Sequence, residues 1–147
     1  MAHLLGDGSA ARTEGMMTWT SSKPKDVRNH VEVITGTIEV EGAYLQMQYN
    51  TPRPWAVRLI YLGSAVPIRR VCVHGNGHGL GRCTHMHTYQ PADGSERCVA
   101  AEGFPECRIS SSVTNDERCK MFLAFADLCH VDASGLTWVD PPKEEMR

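Results

Sequence analysis

Residues 43–74 read AYLQMQYNTPRPWAVRLIYLGSAVPIRRVCVH, and the alternation in this stretch decides the fold class. Successive side chains of a strand point to opposite faces, so apolar residues at every second position mark a half-buried strand. Ala43, Leu45, Met47 and Tyr49 alternate with Tyr44, Gln46 and Gln48. Thr51-Pro52-Arg53-Pro54 breaks that strand. Trp55–Leu62 (WAVRLIYL) makes the next, with Trp55, Val57, Leu59 and Tyr61 on one face, and Gly63-Ser64 turns the chain into Val66–His74. Upstream, Val31–Val40 predicts a bent strand or tight hairpin around Gly36. Downstream, a glycine-rich loop over 75–81 leads into a strand from Thr84 to Gln90. Short strands that follow one another without intervening helices predict an antiparallel meander of about five strands.

Pro91–Ser112 lacks periodicity and reads as a long loop. Thr114-Asn115-Asp116-Glu117 then has the form of a capping box, in which the Thr114 hydroxyl accepts from the Glu117 backbone and the Glu117 carboxylate reaches back. The helix that follows is expected to reach about His130, burying Met121, Phe122, Phe125, Leu128 and Cys129. The fold class is therefore α+β: a twisted antiparallel meander with one C-terminal helix packed across a face. Residues 1–26 read as a flexible N-terminal segment, 27–135 as the single α+β domain, and 136–147 as a loose tail. The length of 147 residues suits one core. Leu, Ile, Val and Phe together number only 29, which implies a modest core with sizeable loops. No apolar run approaches the ~20 residues of a membrane span. The only apolar pair near the start is Leu4-Leu5, so no export signal is expected and the cytoplasm is the expected compartment. Met16-Met17 is a second candidate for the start of translation, beside Met1. The six cysteines contain no CxxC pair, and in a reducing compartment they are expected as free thiols.

Charge is unevenly distributed. Residues 1–41 carry −2 and residues 93–147 carry −5, whereas 42–92 contain no Asp, Glu or Lys and carry +5 from Arg53, Arg58, Arg69, Arg70 and Arg82. An arginine-only stretch suits phosphate or an acidic partner; internal pairing with the acidic C-terminal third is the structural alternative. Four histidines (His74, His78, His85, His87) fall in the same block. In the hairpin RRVCVHGNGHGLGRCTHMHTY (Arg69–Tyr89), alternation places Ile68, Arg70, Cys72 and His74 on one face of the first strand. Cys83, His85, His87 and Tyr89 share a face of the second. With His74 opposite Cys83, Cys72 meets His85, Arg70 meets His87 and Ile68 meets Tyr89. Such a face supports three readings. Imidazoles with an arginine suit metal-free phosphoryl chemistry, one imidazole taking the 2′-hydroxyl proton of RNA and another protonating the leaving oxygen. Cys72, His74, Cys83 and His85 are an alternative zinc set, disfavoured by their unfamiliar spacing and by the charge of Arg70. The third reading is an exposed polar face of a binding module.

The run RLIYLGSAVPIRRVCVHGNGH, followed by THMHTY and by a capped helix ending LAFADLCHV, resembles an uncharacterised family of small bacterial and prophage-encoded proteins. More distantly, the loop histidine and the H-x-H strand resemble the TumE-type toxins of toxin–antitoxin pairs, which are regarded as ribonucleases. The similarity covers roughly Trp55–Val131. It implies matching site positions at Arg70, His78, Thr84, His85, His87 and Tyr89, and leaves Cys72, His74 and Cys83 outside the pattern. The loop Gly75-Asn76-Gly77-His78-Gly79 lacks the doubled histidine and prolines of TumE-type loops. A P-loop, a GxSxG elbow and a dinucleotide fingerprint are absent. The expected function is that of a nucleic-acid-directed protein, a metal-independent ribonuclease of toxin type. His85 and His87 are its catalytic candidates, supported by His78, Arg70 and Tyr89, with Arg53, Arg58, Arg69 and Arg82 as binding residues. No cofactor is expected. RNA and a cognate antitoxin are the expected partners; a non-enzymatic mobile-element protein that inhibits a host complex is the alternative.

Overall fold

The computed structural model describes residues 11–23, 26–34, 43–63, 66–76, 82–89, 96–101 and 103–142. Seven strands pair antiparallel in chain order: β2 (Thr18–Lys23), β3 (Asp26–Glu32), β4 (Tyr44–Asn50), β5 (Arg53–Gly63), β6 (Val66–Asn76), β7 (Arg82–Tyr89) and β8 (Glu96–Ala100). The α+β meander expected from alternation is present, with more strands than the five anticipated. Burial in β4 alternates as expected, with Leu45, Met47 and Tyr49 inside.

The helix α1 (Asn115–Leu128) begins at the anticipated capping box: Glu117 N–H donates to Thr114 Oγ1 at 3.1 Å, and Thr114 N–H donates to Glu117 Oε1 at 3.1 Å. Met121, Phe122, Phe125, Ala126 and Cys129 are buried in one core with Leu45, Met47, Val57, Leu59, Tyr61, Val71 and Val73 of the sheet. The helix and these residues define the inner face. Arg69 lies opposite Tyr61 and donates to the Leu128 carbonyl, placing a cation at the helix C-terminus, where the orphan carbonyls favour one.

The expected domain boundaries need correction. Residues 12–23 are not a flexible segment: β1 (Arg12–Met16) pairs in parallel with β9 (Asp132–Thr137), and β2 is an edge of the main sheet. The start of the expected tail is also anchored, as far as Val139. Trp19 Nε1 donates to the Val139 carbonyl at 2.7 Å, and Trp19 and Trp138 meet edge to face at 6.0 Å. Both ends lack apolar periodicity because each is ordered by the other across some 120 residues of sequence. The expected Val31–Val40 element is β3 at its start; residues 35–42 lie outside the described residues. No helix among the described residues is long and apolar enough to cross a membrane.

Candidate functional site

The β6–β7 ladder pairs Cys72 with His85 and Arg70 with His87, as alternation and a simple hairpin predict. The register then slips: the next pair is Gly75 with Cys83, so β6 carries an extra residue. His74 is the residue that absorbs it, with φ at +54°. A left-handed backbone is costly for a side chain with a Cβ and persists only where surroundings hold it. Here His74 Nε2 lies 2.7 Å from the Cys107 carbonyl oxygen, the ring meets Trp55 edge-on, and Glu106 Oε2 is 3.7 Å away. His74 therefore leaves the shared face and docks the 103–113 loop. Cys107 is buried beside it, its thiol donates to the Trp55 carbonyl, and burial pushes that thiol up to about 11. Ile68 also departs from the expectation: it falls in the β5–β6 register slip and joins the core.

What remains on the outer face is compact. Arg58 of β5 lies opposite Cys72, Cys72 opposite His85, and His87 opposite Cys98 of β8. His85 and His87 are only 1% and 5% exposed, so the reading of an exposed polar face does not hold for them. Their rings meet at 4.9 Å between centroids, inclined at 69°. Burial pushes the Cys72 thiol up, while the nearby Arg70 and Arg58 guanidiniums oppose that shift. A cavity of about 360 Å³ opens over this region, lined by Ala56, Arg58, Arg70, Cys72, Gly75 and His85 together with Val57 and Val73. Among the described residues Arg58 makes no ion pair, and the cavity lining contains no acid. The lining carries two guanidiniums, an imidazole and a thiol, and the guanidiniums are groups whose charge and donors suit an anion.

Of the candidate residues, the structure brings Arg58, Arg70 and His85 to the cavity, while His87 sits behind His85. Arg69 is turned to the inner face and holds the helix end. Arg53 is exposed at the start of β5, away from this lining. His78 lies outside the described residues, as do the side chains of Arg82, Cys83 and Tyr89.

The alternative zinc set is not assembled as anticipated, because the bulge removes His74. A different trio comes together: one ligand atom each of Cys72, His85 and His87, all within 4.8 Å of one another. The signal for it lay in the sequence as Cys72 opposite His85 with His87 two residues on. Gly75 was also missed. A Cβ at that position would lie 2.9 Å from Cys72 Cβ and 3.3 Å from His85 Cε1, so the glycine lets the backbone after the bulge close over the pair.

No protein-family model matches this chain, and neither does any curated protein or solved structure.

Proposed function

We propose that this protein is directed at RNA and holds one phosphate of a single-stranded segment in the Arg58–Arg70 cavity. The observation that carries the reading is the lining itself: two arginines and an imidazole converge on one acid-free cavity. Guanidinium donors match phosphate oxygens in pairs. A volume of about 360 Å³ sits at the small end of ligand-sized cavities and admits one unstacked nucleotide rather than a duplex. In the toxin-type reading, His85 takes the ribose 2′-hydroxyl proton as the 2′-oxygen bonds to phosphorus, the arginines stabilise charge on the phosphorane, and the leaving 5′-oxygen takes a proton from water as its bond to phosphorus breaks. His87 acts on His85 rather than on substrate, since it does not line the cavity. The resemblance of the H-x-H strand to TumE-type toxins supports the same substrate class.

The test is fluorescence anisotropy with a labelled single-stranded RNA over a range of salt, alongside a cleavage assay on the same RNA. Wild-type protein is expected to bind with a salt-dependent affinity. Arg58→Ala and Arg70→Ala should each weaken binding and lower the salt slope by about one. Binding that these replacements leave intact, or no binding at all, would refute the proposal. His85→Ala should abolish cleavage while leaving most of the binding.

A further inference from the structure

We infer that Cys72, His85 and His87 form a binding site for a single zinc-class ion, whose fourth coordination position opens into the Arg58–Arg70 cavity. Thiolate and imidazole are the ligand types that zinc takes, and three protein ligands with one open position is the arrangement of a reactive rather than a structural site. The three ligand atoms already lie within 4.8 Å of one another. With bonds of about 2.0–2.1 Å to nitrogen and 2.3 Å to sulfur, tetrahedral coordination needs ligand atoms roughly 3.4–3.6 Å apart. Small rotations of the imidazoles and the thiol supply the difference without moving the backbone. The ligands stand on strands paired on both sides, β6 between β5 and β7, and β7 between β6 and β8, so the frame is rigid before any ion arrives.

The arginine charge that counts against a bare ion is answered by an anion, for which the surroundings leave room. Cys72 and His85 line the cavity, which locates the open position, and Gly75 leaves the space beside them clear of a side chain. Cys72 stands between Arg58 and His85 of its two neighbouring strands, with Arg70 two residues away on its own strand, so the sulfur is flanked by both arginines. One thiolate and two neutral imidazoles leave a dipositive ion with a net positive charge, next to two guanidiniums. The site therefore calls for an anion at the fourth position, and the same arginines are placed to hold it. Cys98 lies opposite His87 but outside the trio; β6 and β8 are two strand spacings apart, about 9.5 Å, too far for Cys98 to share an ion with Cys72. The inference keeps the cavity's anion but not the metal-free role of His85: an imidazole nitrogen on the ion is not free to take the 2′-hydroxyl proton, so ion binding and metal-free cleavage through His85 are alternative outcomes, and ion binding is measured without RNA.

The experiment is a cobalt(II) titration of the full chain after treatment with a chelator, followed by displacement with zinc. One equivalent is expected, with visible d–d bands of tetrahedral intensity and a near-ultraviolet thiolate-to-cobalt band, both lost on adding zinc. Cys72→Ser should remove the thiolate band, and His87→Gln should weaken cobalt binding by about tenfold or more. Cys98→Ser should leave the spectrum unchanged. Inorganic phosphate should shift the d–d bands in the wild type and not in Arg58→Ala. If Cys72→Ser does not fold, judged by circular dichroism, His87→Gln carries the test. A thiolate band that persists in Cys72→Ser, or a weak octahedral spectrum in the wild type, overturns the site. A spectrum insensitive to phosphate overturns the open position. Failure of RNA binding with the cobalt results intact would instead refute only the proposed function.

Discussion

Gly75→Ala probes the bulge and the cluster beneath it with a single methyl group. Its Cβ would sit 2.9 Å from Cys72 Cβ and 3.3 Å from His85 Cε1, where ordinary contacts begin at 3.4 Å. Cys72 Cβ is fixed to a strand paired on both sides and cannot swing away, so β6 must move by about half an ångström or the His85 ring must give. Overpacking of this kind typically costs about 1–3 kcal/mol. With a urea m-value of about 2 kcal/mol/M, the unfolding midpoint should fall by roughly 0.5–1.5 M at unchanged slope. The same displacement should disturb the Cys72–His85 separation, so the thiolate-to-cobalt band should weaken or shift. An unchanged midpoint together with an unchanged cobalt spectrum would show that the backbone after His74 does not close over Cys72 and His85.

Phe125→Ala should cost roughly 3–5 kcal/mol in urea denaturation, because the ring is fully buried between helix and sheet; a loss within about 0.5 kcal/mol would mean that the helix does not pack on this face. Glu117→Gln tests the cap through pH. Backbone N–H donors of Arg108 and Thr114 hold this carboxyl below its ordinary range, so its contribution is present above the unfolded value near about 4.3 and is lost as pH falls through the folded value. The variant keeps the capping box and loses only the charge, so it should be less stable at neutral pH by about 0.3–1 kcal/mol, and the difference should shrink under acid; a constant difference would refute the carboxylate charge as its source. Arg69→Met should lower stability by about 1–2 kcal/mol through the lost contact with the Leu128 carbonyl, with RNA affinity unchanged. A loss of affinity equal to that of Arg70→Ala would instead place Arg69 in the binding surface.

The legible part of this protein is the part written at short range. Period-two alternation in Ala43–Tyr49 and Trp55–Leu62 assigns each side chain to a face whatever the strands pair with, and the Thr114–Glu117 cap needs only four consecutive residues. The same local rule set His85 and His87 on one side and, through a simple hairpin, Arg70 and Cys72 opposite them. Tertiary structure decided the rest. Cross-strand partners beyond Cys72 depend on the extra residue at His74, and that bulge is held by Trp55 from the preceding strand and by Cys107 from a loop 33 residues later. Its consequence is chemical: it removes His74 from the shared face and leaves His87 as the third ligand beside Cys72 and His85. The ends of the domain follow the same logic. Neither Arg12–Met16 nor Asp132–Thr137 has an apolar pattern of its own; each becomes a strand because the other supplies its backbone hydrogen bonds. Local sequence specifies which way a side chain faces, while which side chains meet is a property of register and distant contacts that no short window contains.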